Sequence, residues 1–384
     1  MQKPEQQGWS PLAGVKVVDF SMFVPGPFCT SALADLGAEV TKVESIGGDP
    51  GRSYIPAQFR MENRNKRSIA VNLKAPEAAA LVERLVKQAD IAIEGFRPGV
   101  AKRLGIDYDT LKKANGRLIY CAISGYGQTG PWRLRPGHDV NYVAAAGGLA
   151  FQGHWLQPPT RSSLAIADMA GGSFAATAVL AALHERERTG KGVSLDLSLF
   201  EAAFFWCAMR HTLTGEVDPK AHIFPVNDVF ETGDGKRLTL GILEQHFWDN
   251  FLQFAPALAG EEYSTDEKRR ANGDALSAKL AAVIRTKTAA EWIELLEKAD
   301  VPVDLCLTAA QAADLPQIRE RGGVATVGGE RFAPFPVHAD GRRGAVIRHG
   351  VPGHGEHTRE VLVELGFDDA EIAGMVKAGA VRAG

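Results

Sequence analysis

Cysteine is scarce. The 384-residue chain has four, Cys29, Cys121, Cys207 and Cys306, with no paired spacing. Neither a disulfide framework nor a zinc site follows from such a scatter, and a reducing, cytoplasmic setting is expected. An excess of charge of one sign is also missing: 43 Lys and Arg stand against 46 Asp and Glu, for a net charge of −3. A binder of phosphate backbone normally shows a basic excess, so no nucleic-acid partner is expected. No run of about 18 apolar residues reads as a membrane span. The opening residues, Met1 to Gly8, lack the apolar core of a signal peptide. No membrane partner and no export are therefore expected. What is present is an ordinary enzyme composition, 45% hydrophobic and 23% charged, at a length that leaves room for two domains.

Short apolar runs alternate with amphipathic ones. Val15 to Phe20 reads as a strand, followed by a Pro-Gly-Pro turn at 25–27, a small-residue helix to Leu36 and a second strand at Ala38 to Val43. Ser68 to Leu73 is strand-like, Pro76 to Gln88 helical with proline in its first turn, and Ile91 to Glu94 and Leu118 to Ile123 are strand-like again. Asp168 to Arg188 reads as a helix stopped by Gly190, then a strand at Gly192 to Ser198 and a helix at Phe200 to Thr214. This alternation predicts an α/β fold, a Rossmann-like parallel sheet with ligands at the carboxyl ends of its strands. Near Pro225 the character changes to a hairpin around Gly233-Asp234-Gly235, then helices at Gln245 to Phe254, Asp274 to Arg285 and Ala289 to Ala299. The expected organisation is a large α/β domain over 1–219 and a smaller α+β domain over 220–330. A C-terminal segment, 331–384, would return to the large domain through helices at Thr358 to Leu365 and Asp368 to Lys377.

The stretch from Pro136 to Gly172 carries a proton acceptor near each end. His138 sits in Gly137-His138-Asp139 on a loop, where Asp139 or another acid can fix the tautomer of the imidazole. Asp168 precedes Gly171-Gly172 at a helix start; the plain role there is a helix cap. The functional one is a carboxylate beside a bare helix N-terminus able to stabilise an oxyanion. Gly125-Tyr-Gly127-Gln-Thr-Gly130 matches a dinucleotide fingerprint, but Pro131 to Pro136 cannot continue as the helix that the fingerprint requires; a turn-rich loop is expected. Lys74, Arg97 and Arg103 fall at strand ends and together suggest an anion site, with Arg64, Lys66 and Arg67 as its rim or as an exposed turn. His354-Gly-Glu356-His357 lacks a third ligand at sensible spacing, and capping of a helix at Thr358 explains it better than a metal.

Six segments together resemble the family III CoA-transferases, the CaiB-BaiF family: 11–20, 35–40, 64–69, 93–99, 124–131 and 355–362. They span nearly the whole chain. The resemblance implies two alternatives. In the transferases the aspartate aligning with Asp168 is a nucleophile that carries the acyl group. The α-methylacyl-CoA racemase branch is similar to this chain at Gly137-His138-Asp139-Val140-Asn141-Tyr142. It pairs the histidine with the same aspartate as two bases, supported by a glutamate matching Glu244. The racemase is the expected activity, inversion at the α-carbon of a 2-methylacyl-CoA, with transfer of CoA between carboxylic acids as the alternative. A CoA-binding protein without chemistry is disfavoured because His138, Asp168 and Glu244 are all present. The resemblance further implies an acyl-CoA thioester substrate in lipid metabolism, CoA carried as part of that substrate with no other cofactor, and an interlocked homodimer. It places the CoA phosphates near Arg103, Lys74 and the Val24-Pro25 backbone, and adenine near Gly95, Phe96 and Arg97. Ser45 stands where many relatives have a phosphate-binding arginine, so that part of the site is rebuilt from Lys42 or Arg52, or is weaker.

Overall fold

The computed structural model describes residues 9–210, 213–214 and 218–383, and its chain divides into two compact units. One comprises 1–146, 164–205 and 315–384; the other comprises 147–163 and 206–314. The second unit thus takes in a segment between His138 and Asp168 and ends before 330.

The first unit is built on a sheet of β1 (Lys16–Asp19), β2 (Glu39–Glu44), β3 (Lys66–Val71), β4 (Ile91–Glu94), β5 (Ile119–Ser124) and β6 (Val193–Ser198). Their order is β3-β2-β1-β4-β5-β6, all parallel, with the C-terminal strand Val381–Arg382 added antiparallel beside β3. This is the doubly wound arrangement expected from the alternation of strands and helices. The strands are buried on both faces because helices cover the sheet: Val18, Ile69, Ile91, Ile93 and Ile119 are all buried, and so are the polar Lys42, Glu44, Lys66 and Ser68 of β2 and β3. The order reverses between β1 and β4, which opens a crevice at their carboxyl ends. Helix α1 (Pro25–Asp35) begins there with proline at its start. Gly26 allows the approach, since a Cβ on it would lie 2.2 Å from the Ser21 side chain.

The helix Ile166–Thr189 ends at Gly190 in the left-handed conformation, φ +69°, as its stop signal predicts. By length and composition it is apolar enough to cross a membrane, contrary to the reading that no such run exists. It packs against α1, β5 and β6, which makes it a core helix of this unit. Gly171 and Gly172 serve that packing. A Cβ on Gly171 would lie 2.3 Å from Leu199, and one on Gly172 would lie 2.6 Å from Phe28 and 2.7 Å from the Pro25 carbonyl. The residues that follow include the helix Leu199–Arg210; of the expected extension to Thr214, 211–212 lie outside the described residues and 213–214 are not helical.

Within the second unit, Asn227–Glu231, Arg237–Gly241 and Val303–Leu305 form an antiparallel sheet, the first two joined by the predicted hairpin. Helices Gln245–Leu252, Gly273–Ile284 and Ala289–Lys298 supply Trp248, Phe251, Leu280 and Trp292 to its core.

Contrary to the capping expected from sequence, the side chains of His354 and His357 do not cap the Thr358–Glu364 helix. His354 Nε2 meets the Ser45 carbonyl at 2.9 Å and His357 Nδ1 faces the Ser68 N–H at 3.3 Å, so both tie the C-terminal segment to the sheet. Among the described residues no group of three or more His, Cys, Asp or Glu is placed to hold a metal.

Candidate active site

The floor of the crevice is a fully buried ionic network. Asp19, the last residue of β1, accepts from Ser21 N–H and Oγ, from Thr30 Oγ1 at 2.7 Å and from Lys66 Nζ at 3.1 Å. Burial alone pushes its carboxyl up, but Lys66, Lys42 and the two hydroxyls outweigh burial and hold it at about 2. Lys42 pairs with Asp49 at 2.8 Å and donates to the Ser21 carbonyl. Arg52 grips Glu44 through both Nε and Nη2, at 2.8 and 2.7 Å. Neither Lys42 nor Arg52 is therefore free to replace the arginine missing at Ser45, whose own hydroxyl donates to the Gly48 carbonyl. The expected basic rim also dissolves. Arg64 is buried against Asp35, Lys66 against Asp19, and Arg67 pairs with Glu360 and Glu364. A cationic run in sequence has become two buried ion pairs, at Arg64 and Lys66, and a surface pairing at Arg67.

Above this floor lies a cavity of about 590 Å³, lined by Ser21, Met22, Gly47, Asn72, Lys74 and Phe96 among others. Lys74 and Phe96 line this cavity, whereas Arg97 and Arg103, the other members of the expected anion site, are not among its lining residues. Gly95 abuts Ser21, within 3.5 Å of where its Cβ would be. Buried Glu94 accepts the Phe96 N–H at 2.7 Å and so fixes the turn into Gly95-Phe96-Arg97. Arg97 and Arg103 are exposed on either side of Gly99, whose φ of +87° makes the turn between them. Val24 is buried and Pro25 half-buried at the start of α1.

The two proposed bases stand at two adjoining helix starts. His138 is exposed and precedes the helix Asp139–Ala145; its N–H donates to Asn141 Oδ1 at 3.0 Å. Asp168 is half-buried in the first turn of Ile166–Thr189. It is not that helix's cap, a position taken by Ala165. The cap group comes from elsewhere: Asp139 Oδ1 accepts from Ala167 N–H at 2.7 Å and Asp168 N–H at 3.3 Å. Asp139 therefore joins the two helix starts, and two of the amides expected to hold an oxyanion are already occupied by its carboxylate. The Asp168 side chain accepts no hydrogen bond among the described residues. Burial first, and then the neighbouring Asp139, push its carboxyl up to about 7.

Tyr142, on the same helix as Asp139, donates to the Gly137 carbonyl at 2.6 Å and packs its ring on Gly125, where a Cβ would come within 2.4 Å of its hydroxyl. This is the physical use of the first glycine in Gly125-Tyr-Gly127. The loop from 125 to 138 contains no helix, as expected for a turn-rich segment. Burial first, then Asp168, push the Tyr142 hydroxyl up to about 12, with Arg97 acting the other way.

Glu244 is exposed and precedes the helix Gln245–Leu252 in the second unit. A residue that sequence reasoning missed is Glu62, in the helix Pro56–Asn63 that packs against α1. It is buried, and the electrostatic field of Asp168 reaches it. The only hint in the sequence is the helical spacing of Gln58 and Glu62.

The cavity at the switch point is lined by Lys74 and Phe96 but not by His138 or Asp168, which stand at the two helix starts joined by Asp139. The profile of CoA-transferase family III matches residues 12–358, and the chain belongs to that family. It is 34% identical to an acetyl-CoA:oxalate CoA-transferase of Acetobacter aceti, covering 94% of this chain and 97% of the relative. It is 32% identical to the human alpha-methylacyl-CoA racemase, covering 94% and 95%. Among solved structures, a CAIB/BAIF family protein from Brucella suis superposes with a TM-score of 0.85 at 30% identity, covering 94% of this chain and all of the other. The chain is thus an enzyme of a family that holds both CoA-transferases and racemases at similar distance from it.

Proposed function

We propose that this enzyme is an acyl-CoA racemase that inverts the α-carbon of a 2-methylacyl-CoA thioester by proton transfer between His138 and Asp168. The observation that carries the reading is the Asp139 bridge, which joins the helix start bearing His138 to the one bearing Asp168. Racemisation needs one group to take the α-proton, its electron pair moving into the thioester as an enolate, and a second group to return a proton on the opposite face. A carboxyl raised to about 7 is half-ionised near neutrality, so it can play either part without a large penalty.

The thioester supplies the acidity of the α-proton, and CoA enters as part of the substrate; the proton transfers need no further organic group. Lys74 and Phe96 in the 590 Å³ cavity, with Arg97 and Arg103 nearby in sequence, support this crevice as the CoA site. Glu244 is proposed to support the histidine. A homodimer is proposed as well, favoured by Trp132, Leu134, Phe204 and Phe205 exposed on the first unit and Met209 on the second; sedimentation as a monomer at micromolar concentration would remove that part of the reading.

The second reading is CoA transfer through an acylated Asp168, and the lack of any hydrogen bond to its carboxylate suits a nucleophile equally well. One assay separates the two. In deuterated buffer with a 2-methylacyl-CoA, the racemase incorporates deuterium at the α-carbon, and hydroxylamine leaves Asp168 unmodified. Acyl exchange with a free carboxylic acid, together with an acyl-CoA-dependent hydroxamate at Asp168, would establish the transferase instead.

A further inference from the structure

The cavity of about 590 Å³ has a solvent edge formed by the turn Ser45-Ile46-Gly47-Gly48 after β2, with Gly379 contributed from just before the C-terminal strand. Its lining holds one cation, Lys74. The two acids on the lining are spent on cations of their own, Glu44 on Arg52 and Asp49 on Lys42.

A second cation stands one side chain away from that turn, and the fold brings it there from the far end of the chain. Antiparallel pairing of Val381–Arg382 with β3 sets Arg382 opposite Ala70. Gly355 packs on the same Ala70, where a Cβ on the glycine would lie 2.9 Å from the alanine Cβ, and this close approach carries His354 to Arg382. His354 Nε2 donates to the Ser45 carbonyl at 2.9 Å, and its ring lies 3.8 Å from where a Cβ on Gly48 would stand. Arg382 Nη1 donates to His354 Nδ1 at 3.3 Å. A carbonyl only accepts and a guanidinium only donates, so the imidazole between them is neutral and carries its proton on Nε2. Arg382 is exposed and makes no ion pair among the described residues. Its charge therefore rests on a neutral ring, beside a turn whose two glycines leave the backbone open to approach. All of these residues belong to the first unit.

We propose that Arg382, with His354 as its support, is a phosphate-binding residue at the mouth of this cavity, and that it takes the 3′-phosphomonoester at the nucleotide end of CoA. The inference rests on the reading of the cavity as the CoA site and holds for racemase and transferase alike. A phosphomonoester carries a charge of about −1.5 to −2 at neutral pH, more than either phosphate of the pyrophosphate within the handle. It also ends the handle, so it belongs at a solvent edge and not on the enclosed floor. Binding there exchanges a guanidinium–imidazole contact for a charge-assisted one that the planar guanidinium can make with two oxygens at once. Lys74, on the lining itself, is left for the pyrophosphate.

Calorimetric titration of the full chain with CoA and with 3′-dephospho-CoA tests the assignment. The parent should bind CoA about threefold to tenfold more tightly, the range that one exposed charge-assisted contact supplies, and raising the salt concentration should shrink that preference. Arg382→Gln should bring CoA to the affinity of 3′-dephospho-CoA and leave the latter's affinity where it was. A parent that binds the two equally overturns the proposal, as does an Arg382→Gln enzyme that keeps the preference or weakens on both ligands alike. Should Arg382→Gln not fold, the parent's preference and its salt dependence decide. A parent that binds neither ligand removes the CoA reading of the cavity and this assignment together, whereas every other adverse result leaves CoA binding in place and removes the assignment alone.

Discussion

Two sets of carboxylates in the first unit are treated in opposite ways. Asp19, Glu44 and Asp49 each have a cation and further donors: Lys66 with two hydroxyls, Arg52 with Ser68, and Lys42 with the backbone amides of Gly51 and Phe23. Burial raises Asp19 and Glu44, but these partners outweigh it and leave both at about 2. Asp168 and Glu62 have no cation of their own and are raised to about 7 and about 8. The first set is a scaffold that fixes β1, β2 and the start of α1. The second is a reservoir of protons at neutral pH, the range in which general acid and base catalysis works.

The largest expected effect tests the scaffold. Asp19→Ala leaves Lys66 buried without its partner, and such a loss costs about 3–5 kcal/mol. Denaturant unfolding of the variant measures it; a loss below about 1 kcal/mol would mean that the network is structurally dispensable. On the other side of the comparison, Asp168→Asn should cost turnover without costing the fold. The loss of a general acid or base removes about a hundredfold to ten-thousandfold in rate, read as α-deuterium incorporation or acyl exchange, while the thermal midpoint stays equal to or above that of the parent. An unfolded Asp168→Asn would place this carboxyl with the scaffold.

The third effect is read as a slope, the pH dependence of stability. Glu62 binds its proton more tightly folded than unfolded between its ordinary value of 4.5 and about 8. Stability therefore falls as pH rises through that window, by at most about 1.4 kcal/mol per pH unit. Glu62→Gln should remove this slope and stabilise the enzyme at pH 8 more than at pH 5. Asp19 behaves in the opposite sense: its folded value of about 2 lies below the ordinary 3.8, so its contribution is lost as pH falls through that range. Equal slopes for parent and Glu62→Gln between pH 5 and 8 would show that Glu62 is ionised in the folded enzyme.

The sequence by itself determined the frame of the site. Apolar strands alternating with helices specify a parallel sheet because each must be covered on both faces, and the turn after β1 and the glycine after β4 sit where the strand order reverses. Loop glycines and the helix starts mark the positions of His138, Asp139 and Asp168 locally. Only the tertiary structure decided what the charges do. Lys42, Arg52, Arg64 and Lys66 read as anion ligands along the chain, yet each is consumed by an acid brought to it by another strand, a turn or helix α1. Asp139 reads as a partner of the adjacent histidine but reaches 28 residues onward to the Ala167 amide. Glu62 carried almost no local signal, since its proton affinity comes from burial and from Asp168, and both exist only once the helices have packed on α1. Spacing along the chain specifies secondary structure through short-range sterics and hydrogen bonds, whereas the ionisation of a side chain depends on solvent exclusion and on charges distant in sequence.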